Sequence, residues 1–472
     1  MKTISIFIIA ILLNSISWGQ VVVYSSSRTD RKTTFFHSNG LSSFNVEMRG
    51  KIEVTDNDKD IKSMSADGYL EITKTVFGSR RSIVITPEGN GLKREYYEGR
   101  SKLAFEPEGR KWLSEIMLEL VRTTTIGAES RVNRFYNKGG ATSVVNEIRN
   151  LESDHVKAHY ASLLMKQNVP VAEYGMIANG ISGTIDSDHY MAEFLKNNVE
   201  KFMQNKEATE ALFAATRRMD SDHYKTEVIK EALHSGPVSL ESVRIIMQAT
   251  GNMDSDHYKT EVMTSLLRQT NLTDGVVGEM INTTKTIGSD HYRSVVLNKA
   301  LAMRGLSAAS YQKAIESIKD IESDHYKAEV LTNLLQKNLS AEALNNLIPT
   351  ISTIESDHYI TNVANEIVKR QILSDESFQK LMEAVCGNGS DHYMSVFLQT
   401  ALERPNLTKQ NILSVLQATS KIGSDHYITE VLTDAAYKIK LMNDASLKEA
   451  YRTAAKRVDS ETYYGRIIRA IE

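Results

Sequence analysis

The stretch SDHYKAEVLTNLLQKNLSAEALNNLIPTISTIE, from Ser323 to Glu355, decides the fold of this chain. Its opening word, Ser-Asp-His-Tyr, occurs at 187–190, 221–224, 255–258, 289–292, 323–326, 356–359, 390–393 and 424–427. A variant, Ser-Asp-His-Val, lies at 153–156, and a degraded copy, Ser-Glu-Thr-Tyr, lies at 460–463. Successive copies begin 34 residues apart, with one interval of 33 and a last interval of 36. A fixed period in this range predicts a stack of similar supersecondary units.

Each unit carries the pattern of two helices. In the quoted unit the first apolar stripe recurs at helical spacing, and it consists of Tyr326, Val330, Leu331, Leu334 and Leu335. The turn at 338–340 then places Ser340 where a helix N-cap is favoured. The second stripe consists of Leu344, Leu347, Ile348, Ile351 and Ile354. The sequence therefore predicts a mainly α fold: an α-solenoid of about nine 34-residue helix-pair repeats with a small N-terminal antiparallel β domain. The tetratricopeptide signature is missing, although the repeat length is the same.

The 472 residues divide into five predicted segments. Residues 1–19 have the pattern of a signal peptide, because Lys2 precedes an apolar run from Ile4 to Leu13 and small residues flank Trp18. Residues 20–43 are polar and predicted to be flexible. Residues 44–105 alternate with period two and predict a β-meander of four to six strands. Residues 106–152 predict a helical linker or capping unit opened by Pro107 and broken at Gly139-Gly140, and residues 153–472 form the repeat array.

Composition limits the possible function classes. The signal peptide predicts an exported bacterial protein, periplasmic or secreted, with no membrane insertion after cleavage. The formal net charge of −3 gives no electrostatic case for binding nucleic acid or an anionic membrane. One cysteine, Cys386, excludes an intramolecular disulfide, and we interpret it as a small core residue.

Each residue of the repeated word Ser-Asp-His-Tyr can be given its own predicted role. Ser and Asp are residues of helix N-termini, where their side chains can accept a backbone N–H and Asp faces the positive end of the dipole. Tyr lies four residues before an apolar position, so we expect it in the core with its hydroxyl reaching a partner. The third residue after His is always small, as at Ala328, which suits close approach of helices.

Histidine is the residue that packing does not require, because it falls in the polar arc of its helix. It recurs at His155, His189, His223, His257, His291, His325, His358, His392 and His426. Glu follows four residues later in five copies: Glu193, Glu227, Glu261, Glu329 and Glu430. We favour a polar ladder at the repeat junctions, in which each imidazole bonds the backbone or Asp of a neighbouring repeat, and a ligand-facing row is the alternative. A metal is disfavoured, since stacked helices lie roughly 8–10 Å apart and metal–ligand bonds span about 2 Å.

Catalytic and metal sites have little support in the sequence. Every repeat offers the same Asp-His pair, no copy gains a distinct nucleophile, and the common hydrolase and nucleotide-binding motifs are missing. Asp56, Asp58 and Asp60 alternate as calcium ligands do, but Ile61 and Asp67 stand where a helix-flanked calcium loop needs Gly and Glu. We therefore expect an acidic turn, no cofactor and no enzymatic activity.

Several stretches resemble a known family: GKIEVTD (50–56), DGYLEI (67–72), GLKREY (91–96), residues 106–120 and IGAESRV (126–132). They are similar to a bacterial extracytoplasmic module in which a small β domain precedes Ser-Asp-Tyr-type helical repeats. Some members are attached to membrane metallopeptidases of the beta-lactam-sensor type. The resemblance runs from Gly50 to the C-terminus and is most specific in 50–160. It implies export and sensing or scaffolding, but no catalysis, because the membrane helices and zinc motif of those peptidases are absent from this sequence.

Together these observations predict a non-enzymatic exported scaffold that binds a protein or peptide through an extended α-solenoid surface. A sensory or regulatory module acting on a cell-envelope partner is the main alternative, and a hydrolase with an unrecognised site is the least favoured.

Overall fold

The computed structural model describes residues 21–26, 33–38, 41–270, 272–387 and 389–472. The chain is mainly helical with a small N-terminal antiparallel sheet, which confirms the predicted fold class. It forms two compact units that divide between Gly236 and Pro237. The division falls inside the predicted array, so each unit contains several repeats. The predicted signal peptide lies outside the described residues.

Seven strands of the first unit form an antiparallel sheet in the order β1-β2-β3-β6-β7-β8-β9. They are β1 (Val21–Ser26), β2 (Thr33–Ser38), β3 (Ser42–Arg49), β6 (Tyr69–Val76), β7 (Ser79–Glu88), β8 (Gly91–Glu98) and β9 (Ser101–Leu103), while β4 (Ile52–Val54) pairs with β5 (Ile61–Met64). The prediction of a flexible segment at 20–43 is wrong for β1 and β2. Phe35 is the one buried residue of β2, so the polar residues around it concealed the strand.

One face of this sheet packs against α1 (Arg110–Thr123). The shared core includes Val46, Leu70, Ile72, Ile83 and Ile85 from the strands and Leu113, Met117 and Leu120 from the helix. Pro107 does not open α1 as predicted, but lies in an irregular turn, Phe105–Gly109, before it. Glu106 has φ −92° and ψ 136°, because a residue that precedes proline is disfavoured in helical geometry.

The remaining helices of the first unit begin with α2 (Ala128–Ile148), whose geometry breaks at Gly139 and Gly140 where the sequence predicted a helix end. The others are α3 (Asp154–Leu164), α4 (Tyr174–Ser182), α5 (Asp188–Asn197), α6 (Val199–Phe202), α7 (Lys206–Thr216) and α8 (Asp222–Ser235). Helices α3, α5 and α8 begin with the repeated word and pack side by side, while α2, α4 and α7 form a second layer. Helices that begin with the word are called A helices below, and those of the second layer B helices.

The second unit repeats the two layers. Its A helices are α10 (Asp256–Leu266), α12 (Asp290–Leu301), α14 (Asp324–Leu334), α16 (Asp357–Arg370), α18 (Asp391–Glu403), α20 (Asp425–Met442) and α22 (Glu461–Ile471). Its B helices are α9 (Leu240–Gly251), α11 (Asp274–Thr283), α13 (Ala308–Lys319), α15 (Ala341–Ile351), α17 (Asp375–Val385), α19 (Lys409–Ala418) and α21 (Ala445–Ala455). Each helix contacts the next helix of its own layer.

Local sequence signals explain how these helices begin and how closely they pack. The predicted cap is confirmed at Ser340, whose hydroxyl accepts the Ala343 N–H at 3.2 Å. The small residue three positions after each His is buried, for example Ser294 at 1% exposure and Thr429 at 0%, as expected for closely packed helices. Among the described residues, no helix is both long and apolar enough to cross a membrane.

Candidate functional site

The repeated word lies at the start of each A helix, with Ser at the N-cap position and Asp as the first helical residue. Ser323 has the extended geometry of a cap residue, φ −70° and ψ 117°. The predicted cap bond is nevertheless absent: at the described motif serines, no side chain accepts an N–H of its own helix. The word therefore begins the helix by backbone geometry, without a cap bond from the Ser side chain.

The Asp carboxylate binds the backbone of the following repeat. Asp290 Oδ2 accepts the N–H groups of Glu322 at 3.0 Å and Ser323 at 2.7 Å. We call this contact the Asp–Ser clamp. In the first unit it joins Asp154 to Ser187 and Asp188 to Ser221. In the second unit it also joins Asp256 to Ser289, Asp324 to Ser356, Asp357 to Ser390, Asp391 to Ser424 and Asp425 to Ser460.

Tyrosine does not lie in the core as predicted. Tyr326 and its counterparts are partly exposed, and the fully packed position is the next residue along the helix. That residue is Met191, Lys225, Lys259, Arg293, Lys327, Met394 or Ile428 in the copies where it is buried. The physical reason is helical spacing: Lys327, Val330, Leu331 and Leu334 form the i, i+3, i+4, i+7 stripe, and Tyr326 borders it.

The buried cations were missed by sequence reasoning, because lysine and arginine are seldom fully buried. Lys327 is 4% exposed, and its Nζ donates to the carbonyl and hydroxyl oxygens of Thr353, each at 3.1 Å. Arg293 donates to the carbonyl of Asp320 at 2.7 Å. Both carbonyls lie just after the B helix of the same repeat, where the last carbonyls have no partner within the helix. In the sequence, this site is indicated by the position that follows the motif Tyr, where some copies carry Lys or Arg and others carry Met or Ile.

Histidine lies on the surface of the A helices. The side chains of His223 and His257 are 51% and 53% exposed, whereas His155 is partly buried. The His325 ring lies 5.0 Å, between ring centroids, from Tyr326 of its own repeat and 5.9 Å from Tyr359 of the next. The His325 imidazole thus contacts two phenol rings, whereas His155, which is followed by Val156, contacts Tyr190 of the next repeat. The contact across the junction is made with Tyr rather than with the backbone or Asp that the sequence suggested.

These rings form an alternating row that we call the His–Tyr ladder. In the first unit it contains His155, Tyr190, His189, Tyr224 and His223. In the second unit it contains His257, His291, His325, His358, His392 and His426 with Tyr258, Tyr292, Tyr326, Tyr359, Tyr393, Tyr427 and Tyr463. Hydrogen bonds also join Tyr224 and His189, at 3.3 Å, and Tyr359 and His325, at 3.2 Å. Within each unit, the structure brings all predicted site residues into one row.

Acidic side chains flank the ladder. The Glu four residues after His approaches the imidazole at two positions, 3.6 Å between His223 and Glu227 and 3.9 Å between His257 and Glu261. Glu227 also pairs with Lys196 of the preceding repeat at 2.8 Å, and hydrogen bonding to that ammonium group lowers the pKa of the Glu227 carboxyl. In the first unit, the ladder therefore lies beside a polar contact that joins two repeats.

The acidic turn of the first unit is occupied by arginines. Asp58 pairs with Arg131 at 3.1 Å and with Arg134 at 2.7 Å, and Asp60 pairs with Arg94 at 3.1 Å. Arg131, only 1% exposed, also donates to Glu147 and to the Tyr160 hydroxyl, both at 2.8 Å. These bonds tie the β4–β5 turn to α2 and α3, so a structural role accounts for the carboxylates of Asp58 and Asp60.

The described residues contain no cluster of three or more His, Cys, Asp or Glu side chains that could hold a metal ion. Cys386 is 4% exposed, as expected for a core residue, and burial raises the pKa of its thiol to about 12. Such a thiol is a poor nucleophile at neutral pH, because the thiolate is the reactive form.

Comparison with known proteins adds no functional information. No family model and no curated protein matches the chain. A solved structure described as "Computational Design of Self-Assembling Cyclic Protein Homooligomers" matches at 15% identity over 60% of this chain and 92% of that chain, with a TM-score of 0.13. That likeness is too low to carry any argument about this chain.

Proposed function

We propose that the chain is a non-enzymatic exported scaffold that binds an extended protein or peptide segment along the His–Tyr ladder. One observation carries the proposal: His is exposed in nearly every repeat and lies between partly exposed phenols at one-repeat spacing. Exposed rings of this kind can stack with apolar and aromatic side chains, and the imidazoles and phenols also offer hydrogen bonds.

The spacing of the ladder suits an extended chain. Packed helices lie roughly 8–10 Å apart, and an extended peptide advances about 3.3 Å per residue. Every third residue of a bound segment would therefore meet an equivalent His–Tyr pair. Weak contacts repeated along one segment add up, because only the first contact bears the full entropy of association. The signal-peptide pattern of 1–19 and the family resemblance support a partner in the cell envelope.

Affinity capture from a bacterial envelope extract tests this function, with the full chain as bait. The test variant carries His291→Gln, His325→Gln and His358→Gln, which preserve polarity and length but remove the imidazole rings. We expect wild type to retain a partner and the variant to lose most of it, with an unchanged circular dichroism spectrum.

The matched control carries three exposed substitutions on the B helices: Glu316→Gln, Glu342→Gln and Glu383→Gln. It should retain the partner as wild type does. If the ladder variant captures the same partner equally well, the ladder is only a junction between repeats. A partner lost equally from both variants would show that the loss is not specific to the ladder, which would contradict the proposed site.

A further inference from the structure

The β6–β7 turn, the β8–β9 turn and the residue that precedes β3 lie at one end of the seven-stranded sheet. The carbonyl of Leu41, which directly precedes β3, accepts the Phe77 N–H of the β6–β7 turn at 3.0 Å. The β8–β9 turn adjoins the start of β7, because the Gly99 N–H donates to the Arg80 carbonyl at 2.8 Å. We call this end the sheet tip, and its defining side chains are Leu41, Val76, Phe77, Arg80, Arg81 and Arg100.

The sheet tip exposes large apolar side chains. Phe77 is 81% exposed, Leu41 66% and Val76 38%. All three lie outside the core cluster between the sheet and α1. Packing within the described fold therefore gives no reason for an aromatic ring at position 77.

The backbone geometry of the β6–β7 turn also disfavours a bulky residue at position 77. Val76 pairs with Ser79, so Phe77 and Gly78 form a two-residue hairpin loop, and their φ values are 47° and 80°. A loop with positive φ at both positions favours Asn, Asp or Gly, and a bulky residue there is strained. Phe77 is thus unfavourable for its turn and contributes nothing to the core. Such a cost is typical of residues kept for a function.

Basic side chains lie in or next to the same turns. Arg80, Arg81 and Arg100 are all exposed, and the nearby Glu98 pairs with Arg81 at 3.3 Å. These four groups sum to a charge of +2, that is +3 from the arginines and −1 from Glu98. The net charge of −3 for the whole chain conceals this local excess.

We propose that the sheet tip docks on an anionic phospholipid surface. Phe77 and Leu41 enter the boundary between headgroups and acyl chains, and the arginines bind lipid phosphates. A projecting tip with separate apolar side chains needs no complementary pocket in a fluid interface, and arginine fits phosphate geometry. Docking of this kind is interfacial and involves no spanning segment.

Vesicle flotation with the full chain tests the proposal, using phosphatidylcholine vesicles with and without phosphatidylglycerol. We expect wild type to bind the anionic vesicles, and to bind them less at high salt. Phe77→Asn should weaken binding roughly tenfold, which corresponds to loss of one large buried side chain. The same change should leave Tm unchanged or raise it, because Asn suits the left-handed turn. A folding defect is therefore not expected to obscure the result.

Two further variants complete the test. Ile372→Asn replaces another exposed apolar residue, 91% exposed in the second unit, and should bind vesicles as wild type does. Arg80→Gln with Arg100→Gln should abolish the preference for anionic over uncharged vesicles. The proposal is overturned if wild type does not float with anionic vesicles, if it binds uncharged vesicles equally well, or if Phe77→Asn binds like wild type. If wild type does not float with anionic vesicles, an apolar pocket on a partner protein becomes the favoured binding partner of the sheet tip.

Discussion

The carboxylate of Asp290 accepts a 2.7 Å hydrogen bond from the backbone N–H of Ser323, one repeat further along the chain. The acceptor begins one A helix, and the donor precedes the next A helix. The contact thus sets the spacing of two neighbouring helices at their N-terminal ends. The repeated word is therefore a joint between repeats as well as a helix start.

Removing the clamp acceptor should weaken that joint. Asp290→Ala leaves the N–H groups of Glu322 and Ser323 without their acceptor, and we expect it to lower the free energy of unfolding by about 1–3 kcal/mol. Asp290→Asn should cost less, because the amide oxygen can still accept. Denaturant titration measures the loss, and hydrogen exchange should accelerate at 322–323. Glu322→Ala is the control, since it keeps the backbone donor, and an equal effect of both changes would contradict the clamp.

Lys327, a buried lysine of the second unit, should tolerate an apolar replacement. Lys327→Met substitutes the residue that other copies carry at this position, at Met191 and Met394. We expect a loss of about 1–2 kcal/mol, because the Thr353 carbonyl loses its donor while the packing is kept. Lys327→Glu should cost considerably more, since it would bury a carboxylate beside that carbonyl. Chemical denaturation tests this order, with the exposed Lys319→Met as the neutral comparison.

The Arg131 network should be among the most sensitive points of the first unit. Arg131→Met leaves Asp58 and Glu147 without their shared guanidinium, and we expect a loss of about 3–5 kcal/mol. A double-mutant cycle with Asp58→Asn measures the coupling between Arg131 and Asp58. Additive single effects would show that the two side chains do not stabilise each other.

Acid should destabilise the first unit through His155. Burial lowers the pKa of His155 from 6.5, and the charge of Glu193 opposes the shift. The folded state therefore favours the neutral ring, so the unfolded chain binds the proton first as the pH falls through 6.5. Stability is lost from there down to the folded-state pKa.

Thermal melts at about pH 7.5 and about pH 5.5 measure this effect, because the two values lie on either side of the ordinary pKa of histidine. Wild type should have the lower Tm at the acidic pH. His155→Gln should show a smaller difference between the two conditions. An unchanged difference would assign the acid sensitivity to other groups.

The sequence predicted the helix pairs because period and apolar spacing are local signals. Ser340 could be recognised as a cap, and His could be placed on the polar arc, for the same reason. The prediction for Tyr326 was wrong because its position four residues before Val330 is also compatible with the edge of the buried stripe. The polar head of Lys327 concealed the true start of that stripe. Met and Ile at the same motif position elsewhere would have revealed it.

Long-range partners could not be predicted in this way. The Asp–Ser clamp joins residues 33 positions apart at Asp290 and Ser323, and the identity of Asp alone also fits a helix-dipole role. The link between Asp58 and Arg131 spans 73 positions, from a turn to a helix. Such pairs depend on how elements pack against one another, which local patterns do not encode.

The Asp–Ser clamp also affects how the number of repeats in such an array can change during evolution. A copy of the word inside the array supplies an acceptor to the repeat after it and a donor to the repeat before it, so neighbouring copies are interchangeable partners. An in-frame duplication or deletion of one whole unit would leave the clamps at the new junction satisfied. The length of the array can therefore drift by recombination between copies without the appearance of an orphaned polar group.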